Sequence, residues 1–232
     1  MTGPAASRGT LPEDQVRSMF DRISGVYDLL NQVMTAGLHH AWRRRAVDLA
    51  SVGPGSKVLD VATGTGDLAI ELASRGAEVV ASDFSEEMLE LARRKAPEIT
   101  FEWANAMELP YASDTFDATT VGFGVRNFGD LSQGVRELAR VVRPGGKVVI
   151  LEMTTPTKPP LSTFFKLWFD RVVPTLGKLA GDSDAYTYLP DSVKRFPAPD
   201  GLAAVLDEAG LVNIRWILTA GGIIAIHVGE VA

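Results

Sequence analysis

The segment VLDVATGTGDLA, residues 58–69, sets Asp60 and Thr63 beside Gly64 and Gly66, where an apolar run gives way to a helix start. Glycines at those positions permit backbone conformations, and a close approach of a ligand, that any side chain would block. The helix N-terminus behind them favours a carboxylate or a phosphate. Two ligands fit. A dinucleotide is one, because G-T-G-D-L-A matches the G-x-G-x-x-G/A pattern and Asp83 follows Gly64 by 19 positions. S-adenosylmethionine is the other, and the polar residues favour it. Asp60, two residues before the turn, would repel a pyrophosphate but can organise the turn and attract an ammonium. Thr63 and Asp67 suit a zwitterionic amino acid, and Asp83 can accept from both hydroxyls of a ribose. The Asn105–Ala106 pair follows a third strand, where an amide can read an adenine edge by donating and accepting.

The elements that must carry these residues are legible from Lys57 onward. Apolar strands KVLDVA, EVVASD, ITFEWA, FDATTVGF and KVVILEM alternate with helices that begin near Asp67, Ser85 and Leu131. Such alternation predicts a parallel sheet with helices on both faces. Ser85 is an N-cap, with Glu86 and Glu87 at the positive end of its helix and Arg93–Lys95 at the negative end. PGG at 144–146 is read as ending one helix and beginning a strand. A helix over 199–209 and two strands joined by Gly221–Gly222 close the chain as a hairpin, a feature of methyltransferase sheets rather than of dehydrogenases. Upstream, T-L-P-E predicts a helix start near Thr10, interrupted around Ser24–Gly25. A second helix near 38–50 carries Leu38, Trp42 and Leu49, with Arg43–Arg45 read as an exposed basic triplet. Residues 156–198 interrupt the alternation with a Pro- and aromatic-rich insertion.

Composition narrows the class. The 232 residues suit one domain, residues 11–232 after a flexible arm at 1–10. A net charge of −6 lowers the expectation of a nucleic-acid binder, and none is expected. Cysteine is absent, and His39, His40 and His227 make no ligand pattern, so no metal site is expected. The N-terminus lacks signal-peptide and transit-peptide patterns, and no apolar run has membrane-spanning length. The default is a cytoplasmic protein.

The chain resembles the quinone-pathway C-methyltransferases that methylate demethylmenaquinol or a polyprenyl-methoxybenzoquinol. The resemblance runs from about residue 14 to the C-terminus. MFDRISGVYDLLN (19–31), LDVATGTGD (59–67) and SDFSEEML (82–89) carry it but shade into methyltransferases generally. GFGVRNF (122–128) and YLPDSVKRFP (188–197) are much more specific, with RPGGKVVILE (143–152) between them. The resemblance implies a class I SAM-dependent, Rossmann-like α/β fold, with a seven-stranded, mostly parallel sheet and a C-terminal antiparallel hairpin. It also implies a helical lid over 11–50, in which Tyr27 and Asp28 contact acceptor or cofactor, and a polyprenylated quinol as substrate. Many relatives carry Ser where this chain has Gly122, so only main-chain contact to the cofactor is expected there.

The acceptor side falls at strand four, where Arg126 and Asn127 follow the run TTVGFGV. Amino-group methyltransferases often place an Asn/Asp-Pro-Pro-aromatic motif at that point; this chain has none. An arginine suits an acceptor that develops negative charge on oxygen, as a quinol does when a ring carbon becomes the nucleophile. Asn127 can hold the second ring hydroxyl. The competing reading pairs Arg126 with a loop carboxylate such as Asp130. Arginine stays protonated, so it is not expected to act as the base. Tyr188 and Arg195 are polar candidates for the other wall, although Pro190 and Pro197 can simply shape a turn there. In the insertion, Leu161, Phe164, Phe165, Trp168, Val172 and Leu179 form a helical stripe that Pro174 should kink or end. It is read as core or homodimer contact ahead of lipid contact. An isoprenoid-tailed acceptor nevertheless needs an apolar groove, and Lys158, Lys166, Arg171 and Lys178 can meet anionic headgroups, so transient contact with the inner face of the cell membrane is expected. The alternatives carried forward are benzoquinol methylation in ubiquinone synthesis, another small-molecule methyltransferase, an NAD(P)-dependent oxidoreductase and a non-catalytic SAM-binding module.

Overall fold

A computed structural model describes residues 15–19, 21–22, 32, 35, 37–157, 159–167 and 183–232. Seven strands form one sheet: β1 (Lys57–Val61), β2 (Glu78–Asp83), β3 (Thr100–Trp103), β4 (Phe116–Gly122), β5 (Val142–Met153), β6 (Leu211–Thr219) and β7 (Ile224–Val231). Their spatial order is β3-β2-β1-β4-β5-β7-β6. β1 through β5 pair in parallel, whereas β7 runs antiparallel to both neighbours. Seven mostly parallel strands closed by an antiparallel hairpin match the expectation, and the structure adds their order. The chain builds outward from β1 through β2 to β3, then crosses to the other side of β1 as β4. The β1–β4 junction is therefore the point where the strand order reverses, and a crevice opens there at the carboxyl ends.

The helices follow from strands that are apolar on both faces. In β5, Val149 and Leu151 join one core while Val148 and Ile150 join the other. The first core is covered by α1 (Leu38–Ala50), α2 (Asp67–Ser74) and α3 (Glu86–Lys95); the second by α4 (Leu131–Arg140) and, further along the chain, a helix over Pro199–Glu208. Between these lie α5 (Leu161–Leu167) and α6 (Ser183–Arg195), so the Pro199–Glu208 helix is α7. The side-chain oxygen of Ser85 accepts from the Met88 N–H and that of Asp130 from Gln133, which fixes the starts of α3 and α4.

Three local expectations are corrected. The buried stripe of α1 is His39, Arg43, Ala46, Val47 and Ala50, while Leu38 is 54% exposed. Trp42 and Leu49 pack only partly, and of the arginine triplet Arg43 is buried. PGG does not begin β5. Pairing with β4 already starts at Val142 and resumes at Lys147, so the prolyl-glycine segment is accommodated as an irregularity within the strand. Pro190 lies inside α6 rather than at a turn. The Gly221–Gly222 joint does form the hairpin, both residues at positive φ (66° and 91°).

At the N-terminal side, residues 15–19 and 21–22 are helical and bury Val16 and Met19. The expected arm at 1–10, the helix start near Thr10, and Ser24–Gly25, Tyr27 and Asp28 lie outside the described residues. So do Lys158, Trp168, Arg171, Val172, Pro174, Lys178 and Leu179, and the side chains of Phe164 and Lys166. In the described part of the insertion, Phe165 is buried against Val193. Among the described residues no helix is long and apolar enough to cross a membrane.

Candidate active site

The switch-point crevice is a cleft of about 940 Å³, partly open to solvent. Its floor is the glycine turn. Gly64 and Gly66 adopt positive φ of 57° and 84°, and a Cβ on Gly66 would lie 3.0 Å from the Phe101 ring. Two non-glycine residues share this strained region: Ala62 (φ 52°) at the end of β1 and Phe123 (φ 62°) at the end of β4. Between them, Gly124 leaves room only for hydrogen, since a Cβ there would meet that of Ala62 at 2.6 Å. Two of the six non-glycine residues at positive φ, among the described residues, thus sit on the strand ends that flank the crevice.

Two buried acids hold the turn together. Asp60, 1% exposed, accepts from the hydroxyls of Thr63 and Thr120, both at 2.6 Å. Asp83 accepts from the backbone N–H of Gly64 at 2.8 Å and of Ser85 at 2.9 Å, welding the end of β2 to the turn. Burial pushes both carboxyls up to about 6, against the pull of these hydrogen bonds. Ser85 in turn donates to Asp21 at 2.6 Å, tying the N-terminal helical segment to this corner.

The remaining predicted residues are distributed around the same cleft. Asn105, Ala106 and Gly122 line it. Asn105 Oδ1 accepts from the Met107 N–H at 2.9 Å, so its carbonyl shapes the local turn rather than standing clear for an adenine. A Cβ at Gly122 would sit 3.2 Å from Leu68, so a serine there would require a small shift of that side chain. Asp67 also lines the cleft but is ion-paired to Arg43 at 3.1 Å and to Lys95. Burial would raise its carboxyl; the two cations outweigh burial and hold it below the ordinary range.

Asn127 reaches the cleft, whereas Arg126 lies beside it, away from the lining. The Arg126 Nη1 donates to Glu152 Oε1 at 2.7 Å and to the Phe123 carbonyl at 2.5 Å. Side-chain exposure is 7% for Arg126 and 1% for Glu152. Glu152 also accepts from the backbone N–H groups of Arg126 and Met153. The carboxylate partner is thus Glu152, at the end of β5, and Asp130 is occupied as the cap of α4. From α6, Tyr188 donates its hydroxyl to Asn127 Oδ1 at 3.1 Å, with the Arg195 guanidinium 5.7 Å from its ring centroid. Burial raises the Tyr188 phenol above its ordinary value, so it remains a donor. Sequence reasoning missed Glu152, although it ends a quoted motif, and missed Arg43 altogether.

A sheet of order 3-2-1-4-5-7-6, with a glycine turn at its switch point and an acid ending the adjacent strand, defines a class I SAM-dependent methyltransferase. The structure of a putative S-adenosyl-L-methionine-dependent methyltransferase from Methanococcus maripaludis superposes with a TM-score of 0.65 at 17% identity, covering 97% of each chain. The demethylmenaquinone methyltransferase of Thermus thermophilus is 47% identical over 219 residues, 91% of this chain and 99% of the relative. The ubiquinone/menaquinone biosynthesis C-methyltransferase UbiE of Geotalea daltonii is 40% identical over 226 residues, 94% and 96% of the two chains. Residues 9–231 match the ubiE/COQ5 methyltransferase family, and this chain belongs to it. Its methyl donor is S-adenosyl-L-methionine. The cradle fits such a donor: the glycine turn, the buried carboxylates of Asp60 and Asp83 and the buried Arg43 guanidinium line one cleft.

Proposed function

We propose that this enzyme methylates a ring carbon of a polyprenylated quinol, with demethylmenaquinol as the acceptor. The observation that carries the reading is the hydrogen-bonded Glu152–Arg126 pair beside Asn127 and Tyr188, which meets the donor cleft through Asn127. The Thermus relative's name points to the same acceptor. Bound adenosylmethionine supplies an electrophilic methyl on a sulfonium. Asp60 and Thr63, with Gly64 and Gly66, shape the floor on which it lies. Asp83 keeps a lone pair beyond its backbone contacts to Gly64, Phe84 and Ser85 for a ribose hydroxyl. Ala106 and Gly122 present backbone to the donor, Asn105 holds the turn against the base, and Asp67 acts through its ion pairs.

On the acceptor side, Tyr188 fixes the amide of Asn127. With Oδ1 engaged by the phenol, Nδ2 is the group left to face the cleft, so Asn127 presents a donor. A donor suits an acceptor oxygen that is losing its proton, because the hydrogen bond strengthens as negative charge grows there. Arg126 supports the same charge from behind Asn127, held by both oxygens of Glu152. The ortho carbon takes the methyl as the sulfonium C–S bond breaks toward sulfur, and the proton of that carbon ends on the phenolate oxygen as the ring regains aromaticity. The products are the methylated quinol, S-adenosylhomocysteine and a proton. Tyr27 is a further proposed contact to acceptor or donor, as the family resemblance implies. The quinone profile of a deletion strain tests this reading: accumulation of the unmethylated naphthoquinone supports it. Accumulation of an unmethylated benzoquinone would move the acceptor to ubiquinone synthesis, and an unchanged profile would contradict both.

A further inference from the structure

Arg43 reaches the donor cleft from α1, with 7% of its surface exposed. Its Nη2 pairs with Asp67 Oδ2 at 3.1 Å, and its guanidinium lies 5.9 Å from the centroid of the Phe123 ring. Its Nη1 is buried without a hydrogen-bond partner among the described residues. A guanidinium is a rigid fork matched to planar anions, and a buried charged donor left unmade is costly. Asp67 does not exhaust the positive charge, because it is shared with Lys95. Arg43 therefore keeps positive charge in the cleft beyond what Asp67 neutralises, and Asp60 and Asp83 line the same cleft as carboxylates. The cleft thus offers both a cationic donor and carboxylates, the two partners a zwitterionic α-amino acid headgroup needs.

We propose that Arg43 Nη1 binds the α-carboxylate of the methyl donor, with Nη2 retained by Asp67. The assignment rests on the donor being adenosylmethionine. Asp67 is then a positioning residue for Arg43 rather than a direct ligand, and the ammonium lies toward Asp60.

Calorimetric titration of wild type and Arg43→Gln with adenosylmethionine and with its decarboxylated analogue tests the proposal without any turnover. Wild type should prefer the carboxylated ligand roughly 10- to 150-fold, the range for one hydrogen bond to a charged group. Arg43→Gln should lose that preference while binding the decarboxylated analogue about as well as wild type does. Equal weakening of both ligands would show a purely structural arginine and overturn the assignment while leaving the donor reading intact. Wild type that binds neither ligand would overturn the donor reading and this proposal with it. If Arg43→Gln does not fold, Arg43→Lys decides: selective weakening of the carboxylated ligand supports the proposal, and a uniform loss overturns it.

Discussion

At the scale of single residues, the two acids beneath the glycine turn set how the site responds to pH. Burial raises Asp60 and Asp83 from 3.8 to about 6. An acid raised by folding contributes stability that is fully present below its unfolded value and is lost as pH rises through its folded value. From pH 4 to 7 these groups therefore make the free protein easier to unfold. Over the same window the carboxylates become available to a cationic donor bearing ribose hydroxyls. Melting curves should accordingly show a donor-induced rise in Tm that is small at pH 5 and much larger at pH 7.5. An equal rise at both values would remove these acids from donor binding. Glu152 carries a separate prediction. Glu152→Ala leaves Arg126 buried and unpaired, which should cost about 3–5 kcal/mol in urea unfolding; a change below about 1 kcal/mol would show that the pair is not closed in solution. Neither Glu152 nor Arg43 was legible as a site residue. Glu152 meets a partner 26 positions away, across two strand ends. Arg43 stands among three adjacent arginines, and only the phase of α1 decides which one turns inward. That phase was misread because His39 and the small alanines at 46 and 50 carry less apolar weight than Leu38 and Trp42.

At the scale of elements, α6 and α3 are where sequence and geometry diverge most usefully. The piece YLPDSVKRFP reads as a turn because of its prolines, yet α6 runs through Pro190 and ends at Arg195. Proline can be kept there only because tertiary packing of Tyr188 and Val193 outweighs its poor helix propensity. Tyr188→Phe removes the hydroxyl that sets the Asn127 amide. It should lower kcat on the order of 10- to 100-fold, as loss of an orienting contact does in other sites, with donor affinity unchanged. If donor affinity falls by the same factor, α6 belongs to the donor side instead. For α3 the cap was plain from Ser85 and its acidic first turn, and the helix begins as predicted. Its second task was not: the Ser85 hydroxyl also donates to Asp21 on the N-terminal segment. Ser85→Ala should therefore cost more than the usual loss of a cap, about 1 kcal/mol. Asp21→Ala alone, measured by the same unfolding curves, should recover only the excess.

At the scale of the whole molecule, the sheet was readable because every strand is bounded by a turn residue or a capped helix, so local signals and global topology agree. The parallel strands were expected from the α/β alternation and the closing hairpin from Gly221–Gly222, whereas the spatial order is known only from the structure. The site was readable where it is built from turn chemistry at one strand end, as at Asp60, Gly64 and Gly66, and unreadable where it depends on two distant elements meeting. The isoprenoid tail of the proposed acceptor would bring the molecule to a bilayer surface. Co-sedimentation with liposomes containing anionic lipid and quinone should capture the protein at low salt and release it as salt rises. No capture under any of these conditions would rule out membrane contact. The most direct test of the account is transfer of a labelled methyl group from adenosylmethionine to demethylmenaquinol by the purified protein, with the product's position read by NMR. The account predicts label on a ring carbon; label on an oxygen, or a donor that binds but never transfers, would contradict it.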